Sequence, residues 1–295
     1  MNKKKWMIIC CLVLFVSFFG VKKLNRYYKE FMLEYRIASA ISDRGEDFCK
    51  FYVSSDYLSP DAYIAHGGGV GKFTYTNSLE AVLDSLQRGF RFIELDMIET
   101  SDGHLLGAHD WKHFKSLAGL NSNYDSLSLS LSLSLSEVQK LKINDKYTVL
   151  TGDSISELMK SNPHFILITD KIRNYKLLLK EIPYPDRMIV EVFSPQDYLK
   201  ALRSGIKYPA YCVWNKNNLE TAIKFKFPIV TMDAKNFFEN NENIHLVQKL
   251  HDSGVTILLF YTSFSGRDKP EFLKKYLGKT ISKVYTDTWS PSVLP

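Results

Sequence analysis

Two histidines and two carboxylates are the residues of this chain whose types and spacing could do chemistry. Glu94 and Asp96 stand two positions apart in the apolar run 92–97, and such a run predicts a β-strand. Because strand side chains alternate between faces, both carboxylates point the same way. A pair of like charges is costly there unless something positive neutralises it, and divalent cations prefer carboxylate oxygens. With His66 and His109 on either side as a possible acid and base, the pattern indicates a metal-dependent hydrolytic site.

The elements that must position these residues are short apolar strands that alternate with amphipathic helices from residue 61 onward. The predicted strands are 61–65, 90–97, 165–170, 187–193, 208–214, 228–233, 255–262 and 283–287. Eight strands that are separated by helix-length connections match the number in an α/β fold of the (β/α)8 TIM-barrel type. A doubly wound open sheet is the alternative, but its Gly-x-Gly-x-x-Gly order is missing from the glycine-rich segment 66–72.

A barrel of this type carries its chemistry at the carboxyl ends of its strands. The candidate residues fall at those ends: His66 after the first strand, Glu94 and Asp96 on the second, Asp170 on the third and Glu191 late in the fourth. Residues 98–164 form a long excursion between the second and third strands, and a short extra strand there would deliver His109. The pattern therefore predicts one site that is built from several strands.

The same excursion contains a strict alternation of serine and leucine from Ser126 to Ser136. One interpretation is a low-complexity loop. The other is a β-ribbon that presents its leucines on one face, where they could contact lipid or a partner. The sequence leaves both interpretations open.

The charge of the chain is concentrated at its amino end. The first 30 residues hold seven basic side chains and one acidic side chain, and the other 265 residues are formally neutral. We therefore expect no nucleic-acid partner for the folded body. The uncharged run 6–21 has basic residues on both sides and no clear cleavage site, which favours an uncleaved signal anchor.

These features predict three parts of the chain. The first is a signal anchor, or transmembrane helix, at 1–21; the second is a helical stalk at 22–58; the third is the barrel domain at 59–295. We expect a single-pass membrane protein whose barrel lies on the outer side of the membrane. Secretion after cleavage of a signal peptide is the alternative.

The segments around the candidate residues resemble the glycerophosphodiester phosphodiesterase family, within the phosphatidylinositol-phospholipase-C-like barrels. The segments that carry the resemblance are "AHGGG" at 65–69, the run 75–103, "AHD" at 108–110, "VFSPQDYLKAL" at 192–202 and "VYTDTWSP" at 284–291. The opening block is specific, and the later half matches mainly by pattern.

The resemblance implies a role for each candidate residue. The implied roles are acid and base for His66 and His109, ligands of Mg²⁺ or Ca²⁺ for Glu94, Asp96 and Asp170, and substrate contacts for Lys171 and Glu191. The implied chemistry is attack on a small-molecule or lipid-derived phosphodiester by water or a substrate hydroxyl, with an alcohol as leaving group. Whether Asp170 or Glu191 completes the metal site stays open.

Three departures from the family pattern leave the substrate open. Gly67 stands where the family commonly has an arginine that contacts phosphate, and Thr76-Asn77-Ser78 replaces its usual Glu-Asn-Thr. Asp170 and Lys171 are adjacent, whereas the family places its acid and lysine two positions apart. Only one of the two side chains can face the site if the strand stays regular.

Three functions are compatible with this pattern. The first is a membrane-anchored glycerophosphodiesterase. The second is a phospholipase D-type barrel enzyme that converts a lysophospholipid or sphingolipid to a cyclic phosphate. The third is a binding module that keeps the fold, and the intact histidine and carboxylate pairs argue against it.

Further side chains near the predicted strand ends have simpler interpretations. Asp287, after the last strand, is expected to cap a turn. Trp214, Tyr261 and Trp289 could line the pocket, or they could pack within the barrel.

Overall fold

The computed structural model describes residues 3–43, 59–120, 131–239, 243–260 and 270–288, apart from the side chains of residues 3–20, 239 and 270. The chain divides into two compact units, Met1–Gly45 and Glu46–Pro295. The first unit contains one long helix, and the second contains the sheet.

Eight parallel strands of the second unit close into a barrel. The described strands are β1 (Tyr63–Ala65), β2 (Phe92–Glu99), β3 (Leu105–Gly107), β4 (Lys142–Ile143), β5 (Tyr147–Thr148), β6 (Ile166–Asp170), β7 (Met188–Val192), β8 (Tyr208–Val213), β9 (Ile229–Asp233), β10 (Thr256–Phe260) and β11 (Lys283–Thr286). The order around the barrel is β1-β11-β10-β9-β8-β7-β6-β2, and β2 pairs with β1 to close it. The predicted (β/α)8 barrel is confirmed, and each of the eight predicted strands lies within three residues of an observed one.

Helices follow most of the strands. Their bounds are α1 (Lys3–Ser42), α2 (Leu79–Gln87), α3 (Trp111–Leu117), α4 (Leu135–Val138), α5 (Gly152–Ser161), α6 (Tyr175–Glu181), α7 (Pro195–Arg203), α8 (Lys216–Phe225), α9 (Ile244–Asp252) and α10 (Pro270–Tyr276). Short polar residues begin several of them: the Ser194 hydroxyl, for example, accepts the backbone N–H of Asp197 at 3.0 Å. Such caps fix the loops that join strand ends to helices.

The barrel strands are buried along their whole length, which explains their nearly continuous apolar sequences. The interior is filled by side chains from successive strands, including Ile64, Phe92, Ile168, Ile189, Ala210 and Leu258. Among the described residues, the buried carboxylates are Glu94 and Asp96 on β2 and Asp170, Glu191 and Asp233 at or next to the last residue of their strands. The apolar body therefore supports a polar carboxyl end.

The excursion between β2 and β6 forms a small layer beside the barrel. The predicted extra strand before His109 is β3, which pairs antiparallel with β2, and β4 and β5 form a hairpin. From the Ser–Leu repeat, residues 126–130 lie outside the described residues, and Leu135–Val138 forms helix α4 with a capping box between Ser134 and Glu137. Leu133 and Leu135 pack on this layer, so the β-ribbon interpretation is wrong for residues 131–136. The helix cap and the packing of the leucines therefore outweigh the strand-like alternation of serine and leucine.

Helix α1 runs without interruption across the predicted boundary between anchor and stalk. Among the residues that were searched, which are the described ones, no helix is long and apolar enough to cross a membrane. The side chains of residues 6–20, which make up the predicted anchor, lie outside the described part, as do stalk residues 44–58. The structure gives the anchor no support, and it stays a prediction.

Candidate active site

Three buried carboxylates meet at the carboxyl end of the barrel. Glu94 and Asp96 lie on β2, and Asp170 is the last residue of β6, where it is the register partner of Asp96. One carboxylate oxygen from each residue lies within 4.8 Å of the other two. The structure thus brings together the three residues that were predicted to bind the metal.

Burial and mutual repulsion oppose the ionisation of this triad. Burial raises the pKa of Glu94 well above its ordinary value, and the charges of Asp96 and Asp170 raise it further. Burial likewise raises the pKa of Asp170, with Asp96 and Glu191 as the next causes. Among the described residues, Oδ1 of Asp170 is buried and accepts no hydrogen bond. Such oxygens fit a hard divalent cation, which would neutralise the triad and fill the unpartnered position.

Lys171 is the cation next to the triad. Its Nζ lies 2.5 Å from Oδ2 of Asp170 and 3.7 Å from Oδ1 of Asp96. Burial lowers the pKa of Lys171, but the carboxylate charges, that of Asp170 first, outweigh this effect and raise it above its ordinary value. The lysine therefore stays charged in the site.

The left-handed backbone of Lys171 corrects the expectation that only one of Asp170 and Lys171 faces the site. Strand β6 ends at Asp170, and Lys171 has a φ of 60°, which turns the chain out of the regular alternation. Both side chains consequently line the same pocket. A non-glycine residue in this conformation is strained, and such strain is often found at functional sites.

His66 follows β1 directly and is held by a carboxylate from the other end of the sequence. Its Nδ1 lies 3.0 Å from Oδ1 of Asp287, and its Nε2 lies 4.0 Å from Oε2 of Glu94. An ionised carboxylate can only accept a hydrogen bond, so Nδ1 carries the proton and Nε2 faces the triad. The rings of Tyr75 and Tyr285 contact the imidazole edge to face, with ring centroids 4.5 and 5.6 Å away.

Asp287 is the residue of the site that sequence reasoning missed. Its backbone carbonyl accepts the N–H of Gly71 at 2.7 Å and the hydroxyl of Thr74 at 3.2 Å, which ties the loop after β1 to the end of β11. Its side chain contacts His66, a role in the site that the expected turn cap did not include. The available signal was its place directly after a barrel strand, where a polar residue faces the site.

Gly67 shapes the loop beside the triad. Its φ is 55°, its N–H donates to Oε2 of Glu94 at 2.8 Å, and an added Cβ would lie 2.8 Å from Cα of Tyr75. Any larger residue would therefore push the loop away from Tyr75. An arginine at position 67 would therefore not fit the loop in this conformation.

Asn77 holds the second carboxylate of the triad. Its amide Nδ2 donates to Oδ2 of Asp96 at 3.1 Å, and its Oδ1 accepts the backbone N–H of Asp96 at 3.0 Å. The neighbouring Thr76 side chain instead donates to the carbonyl of Phe73. Of the segment that departs from the family pattern, Asn77 is the residue that contacts the site.

His109 lies across the pocket at the start of α3. Its Nδ1 is 2.7 Å from Oδ2 of Asp110, whose Oδ1 caps the helix by accepting the N–H of His113. The imidazole side chain is 44% exposed, compared with 15% for His66. Both histidines line one pocket of about 130 Å³ together with the triad.

Glu191 lies deeper in the barrel, on β7. The hydroxyl of Tyr285 donates to its Oε1, and the hydroxyl of Thr231 donates to its Oε2 at 3.1 Å. Burial raises its pKa, and these two donors oppose that rise. Glu191 lines the pocket but is absent from the carboxylate cluster, so Asp170 is the residue placed to complete a metal site.

Aromatic side chains form the remaining wall of the pocket. Phe193, Trp214 and Phe260 line it, and the rings of Trp214 and Phe260 lie 4.7 Å apart. Trp214 is thus one of the expected pocket aromatics, whereas Tyr261 and Trp289 lie outside the described residues. The pocket combines a charged side and an apolar side.

The class that this fold and site define is a (β/α)8 barrel with acidic and histidine residues at the carboxyl ends of its strands. No protein-family model matches the sequence, and no curated protein matches it either. Solved structures of glycerophosphodiester phosphodiesterases are similar to it in fold.

Three of these structures illustrate the similarity. A glycerophosphoryl diester phosphodiesterase from Parabacteroides distasonis has a TM-score of 0.59 and 18% identity, over 82% of this chain and 87% of its own. The glycerophosphodiester phosphodiesterase from Thermotoga maritima has a TM-score of 0.55 and 18% identity, over 77% of this chain and 94% of its own. An Oleispira antarctica phosphodiesterase, in complex with the product sn-glycerol-3-phosphate, has a TM-score of 0.58 and 15% identity, over 76% of this chain and 92% of its own. The resemblance stated from the sequence is confirmed at the level of the fold, and the similar structures are those of phosphoric diester hydrolases.

Proposed function

We propose that this protein is a metal-dependent phosphodiesterase that hydrolyses glycerophosphodiester-type substrates to glycerol phosphate and an alcohol. The observation that carries the proposal is the carboxylate triad, with its unpartnered Asp170 oxygen, in one pocket with His66 and His109. The product complex of the Oleispira antarctica enzyme supports the choice of substrate class, because its fold is similar to this one.

Glu94, Asp96 and Asp170 would hold a divalent cation, Mg²⁺ or Ca²⁺. When bound, such an ion supplies positive charge that stabilises the phosphoryl oxygens in the transition state. The amide of Asn77 keeps Asp96 in place, and the N–H of Gly67 does the same for Glu94. The residue types and their clustering therefore fit such an ion.

The two histidines divide the proton transfers. Asp287 holds the proton on Nδ1 of His66 and leaves Nε2 as the nitrogen that exchanges a proton within the pocket. The Asp110 carboxylate has the same relation to Nδ1 of His109. One histidine takes the proton of the attacking water or hydroxyl, and the other protonates the leaving oxygen.

Lys171 provides the positive charge that the family's arginine provides elsewhere. Its ammonium group lies beside Asp170 and Asp96 at the pocket wall and would contact a phosphoryl oxygen as a point charge. A phosphate contact from Lys171, in the loop after β6, would stand in for the one that Gly67 cannot make from the loop after β1.

An assay of a panel of glycerophosphodiesters and lysophospholipids tests the proposal. Hydrolysis should require a divalent cation and stop in EDTA, and phosphorus NMR should detect glycerol phosphate as the product. Accumulation of a cyclic phosphate would instead identify the phospholipase D-type reaction. No turnover of any diester with Mg²⁺, Ca²⁺ or Mn²⁺ would refute both.

We also propose that residues 6–21 anchor the protein in a membrane with the barrel on its outer side. The basic residues that flank this run support the proposal, as do the exposed aromatic side chains Tyr27, Tyr28 and Phe31 that follow it on α1. Full-length protein should sediment with membranes, and added protease should digest the barrel in intact cells. A Leu12→Lys, Leu14→Lys variant should become soluble, whereas Leu24→Lys should not. Recovery of the unaltered chain in the soluble fraction would refute the anchor.

A further inference from the structure

A second pocket of about 240 Å³ adjoins the catalytic pocket. The two pockets share Lys171, Glu191 and Phe193 in their walls. The other residues that line it come from the turn after β6, the first residue of α6, the end of β7 and the start of α7: Ile172, Arg173, Tyr175, Val192 and Asp197. A diester whose phosphate lies against Lys171 would therefore extend one of its two alcohols into this space.

Two opposite charges face this pocket without pairing with each other. In the part of the chain that the structure describes, the guanidinium group of Arg173 makes no hydrogen bond or ion pair. The Asp197 carboxylate takes one side-chain hydrogen bond, from the hydroxyl of Ser194 to Oδ2 at 2.9 Å. Each charge can therefore bind a ligand group without first breaking a protein ion pair.

The other charged groups nearby are already engaged. Lys171 pairs with Asp170 and Asp96. The ammonium group of Lys200 donates to the carbonyl of Arg173 at 3.0 Å and lies 5.4 Å from the ring centre of Tyr175. The Glu191 carboxylate accepts hydrogen bonds from the hydroxyls of Tyr285 and Thr231. The charges left for recognition in this pocket are consequently the Arg173 guanidinium and the Asp197 carboxylate.

Aromatic groups complete the pocket. Tyr175 is buried, and burial, together with the charge of Asp197, raises its pKa to about 12, so its hydroxyl stays protonated and can donate. The Phe193 side chain is partly exposed and lines both pockets. The pocket therefore combines aromatic and aliphatic side chains with two opposite charges, which suits a small group that carries both an anion and a cation.

We propose that this pocket binds the alcohol part of the diester and selects a zwitterionic amino-acid alcohol of the serine type. The carboxylate of the ligand would bind Arg173, and its ammonium group would bind Asp197. A purely cationic alcohol would leave the Arg173 charge unmatched and repelled, and a neutral polyol would leave both charges unmatched. The inference rests on the proposed phosphodiesterase function.

The reaction is the same hydrolysis with a defined leaving group. The water oxygen forms a bond to phosphorus, and the bond between phosphorus and the serine-type oxygen breaks. The proton of the water goes to one histidine, and the leaving oxygen takes a proton from the other. The products are glycerol phosphate and the free amino-acid alcohol.

The test compares kcat/KM of the full-length protein for glycerophosphoserine, glycerophosphoethanolamine and glycerophosphoglycerol. The serine ester should be the best of the three. Arg173→Gln should lower kcat/KM for the serine ester about 10-fold or more relative to the ethanolamine ester, the effect of losing one charge-assisted hydrogen bond. Asp197→Asn should lower the values for both amine esters relative to the glycerol ester. Lys176→Gln, which removes an exposed charge on α6 outside both pockets, is the matched control and should leave all three values unchanged.

The outcomes separate the inference from the function on which it rests. If the protein cleaves diesters but both variants keep the wild-type ratios between the three esters, the pocket assignment is wrong and the phosphodiesterase function stands. If no diester is cleaved, calorimetric titration with glycerophosphoserine decides. Binding that Arg173→Gln weakens and Lys176→Gln does not would support the pocket, and equal binding or no binding would overturn it.

Discussion

Each end of the barrel holds a lysine next to a carboxylate, but the two lysines have opposite electrostatic surroundings. At the carboxyl end, the pKa of Lys171 is raised because the carboxylates, Asp170 first, outweigh the effect of burial. At the amino end, Lys283 is fully buried, its Nζ donates to the carbonyl of Asp61, and burial lowers its pKa to about 8. Its ammonium group also lies 3.9 Å from the ring centre of Phe92.

The difference shows what each end of the barrel is built for. The carboxyl end gathers more negative charge than its single lysine neutralises, which costs stability and is useful where a cation or an anionic substrate has to bind. The amino end keeps one lysine whose charge is disfavoured and whose ammonium group donates to the backbone carbonyl of Asp61. Substitutions at the first end should therefore change activity, and substitutions at the second should change stability.

The largest expected effect is the loss of either histidine at the carboxyl end. His66→Ala and His109→Ala should each lower kcat by about 10²–10⁴-fold, the usual contribution of a positioned acid or base. The double variant should lose much less than the product of the two effects, because the histidines act as a unit. The pH profile of kcat should be bell-shaped, since one histidine must be neutral and the other protonated.

The exposed His164 provides the control for this comparison. His164→Ala should keep wild-type turnover and stability, because His164 lies in the turn before β6, at the opposite end of that strand from Asp170. Near-normal turnover of His109→Ala on the correct substrate would contradict the two-histidine mechanism.

The next effect concerns the triad. Asp96→Asn should lower turnover by about 100-fold or more, the effect of losing a metal ligand, while Asn keeps the shape that Asn77 contacts. In EDTA the variant should unfold at the same temperature as the wild type or higher, because one of three clustered like charges is gone. Added Mg²⁺ should raise the unfolding temperature of the wild type more than that of the variant. Full activity after exhaustive dialysis against EDTA would contradict the metal site.

At the amino end the expected effect is on stability. Because the folded pKa of Lys283 lies near 8, below the unfolded value of 10.5, the folded state binds fewer protons between these values, and stability rises with pH there. Relative to Lys283→Met, the wild type should gain up to about 3 kcal/mol of unfolding free energy between pH 8 and pH 10.5. Denaturant unfolding at a series of pH values measures this gain, and turnover should be the same in both proteins.

Lys171→Met tests the same comparison at the carboxyl end, where the pKa shift of the lysine has the opposite sign. The folded pKa of Lys171 is raised, so its contribution to stability is present below the unfolded pKa and is lost as the pH rises through the folded one. In EDTA, the wild type should therefore gain nothing over Lys171→Met between pH 8 and pH 10.5. An equal pH-dependent gain for both lysines would mean that the two ends of the barrel do not differ as described.

The sequence was sufficient for the elements whose signals are local. Each barrel strand is a short apolar run between turn residues, and the carboxylates Glu94, Asp96 and Asp170 could be placed because strand alternation and strand ends are local properties. The Asp287–His66 pair could not be found this way, because its members are 221 residues apart and meet only when β11 closes beside β1. The positive φ of Lys171 could not be predicted either, since a lysine has no preference for this conformation and tertiary contacts impose it.

The smallest expected effect concerns that long-range pair. The amide oxygen of Asp287→Asn could still accept the hydrogen bond from Nδ1–H of His66, but the variant would lack the negative charge that stabilises the protonated ring. Asp287→Asn should therefore lower kcat by about 10-fold, at the lower end of the range for residues that orient a functional histidine. Asp233→Asn is the matched control, because Asp233 also ends a barrel strand but accepts a hydrogen bond from the Asn236 amide at 2.6 Å. In the His66→Ala background, Asp287→Asn should cause no further loss. An equal loss in both backgrounds would show that Asp287 acts through the loop after β1, which its carbonyl holds, and not through the histidine.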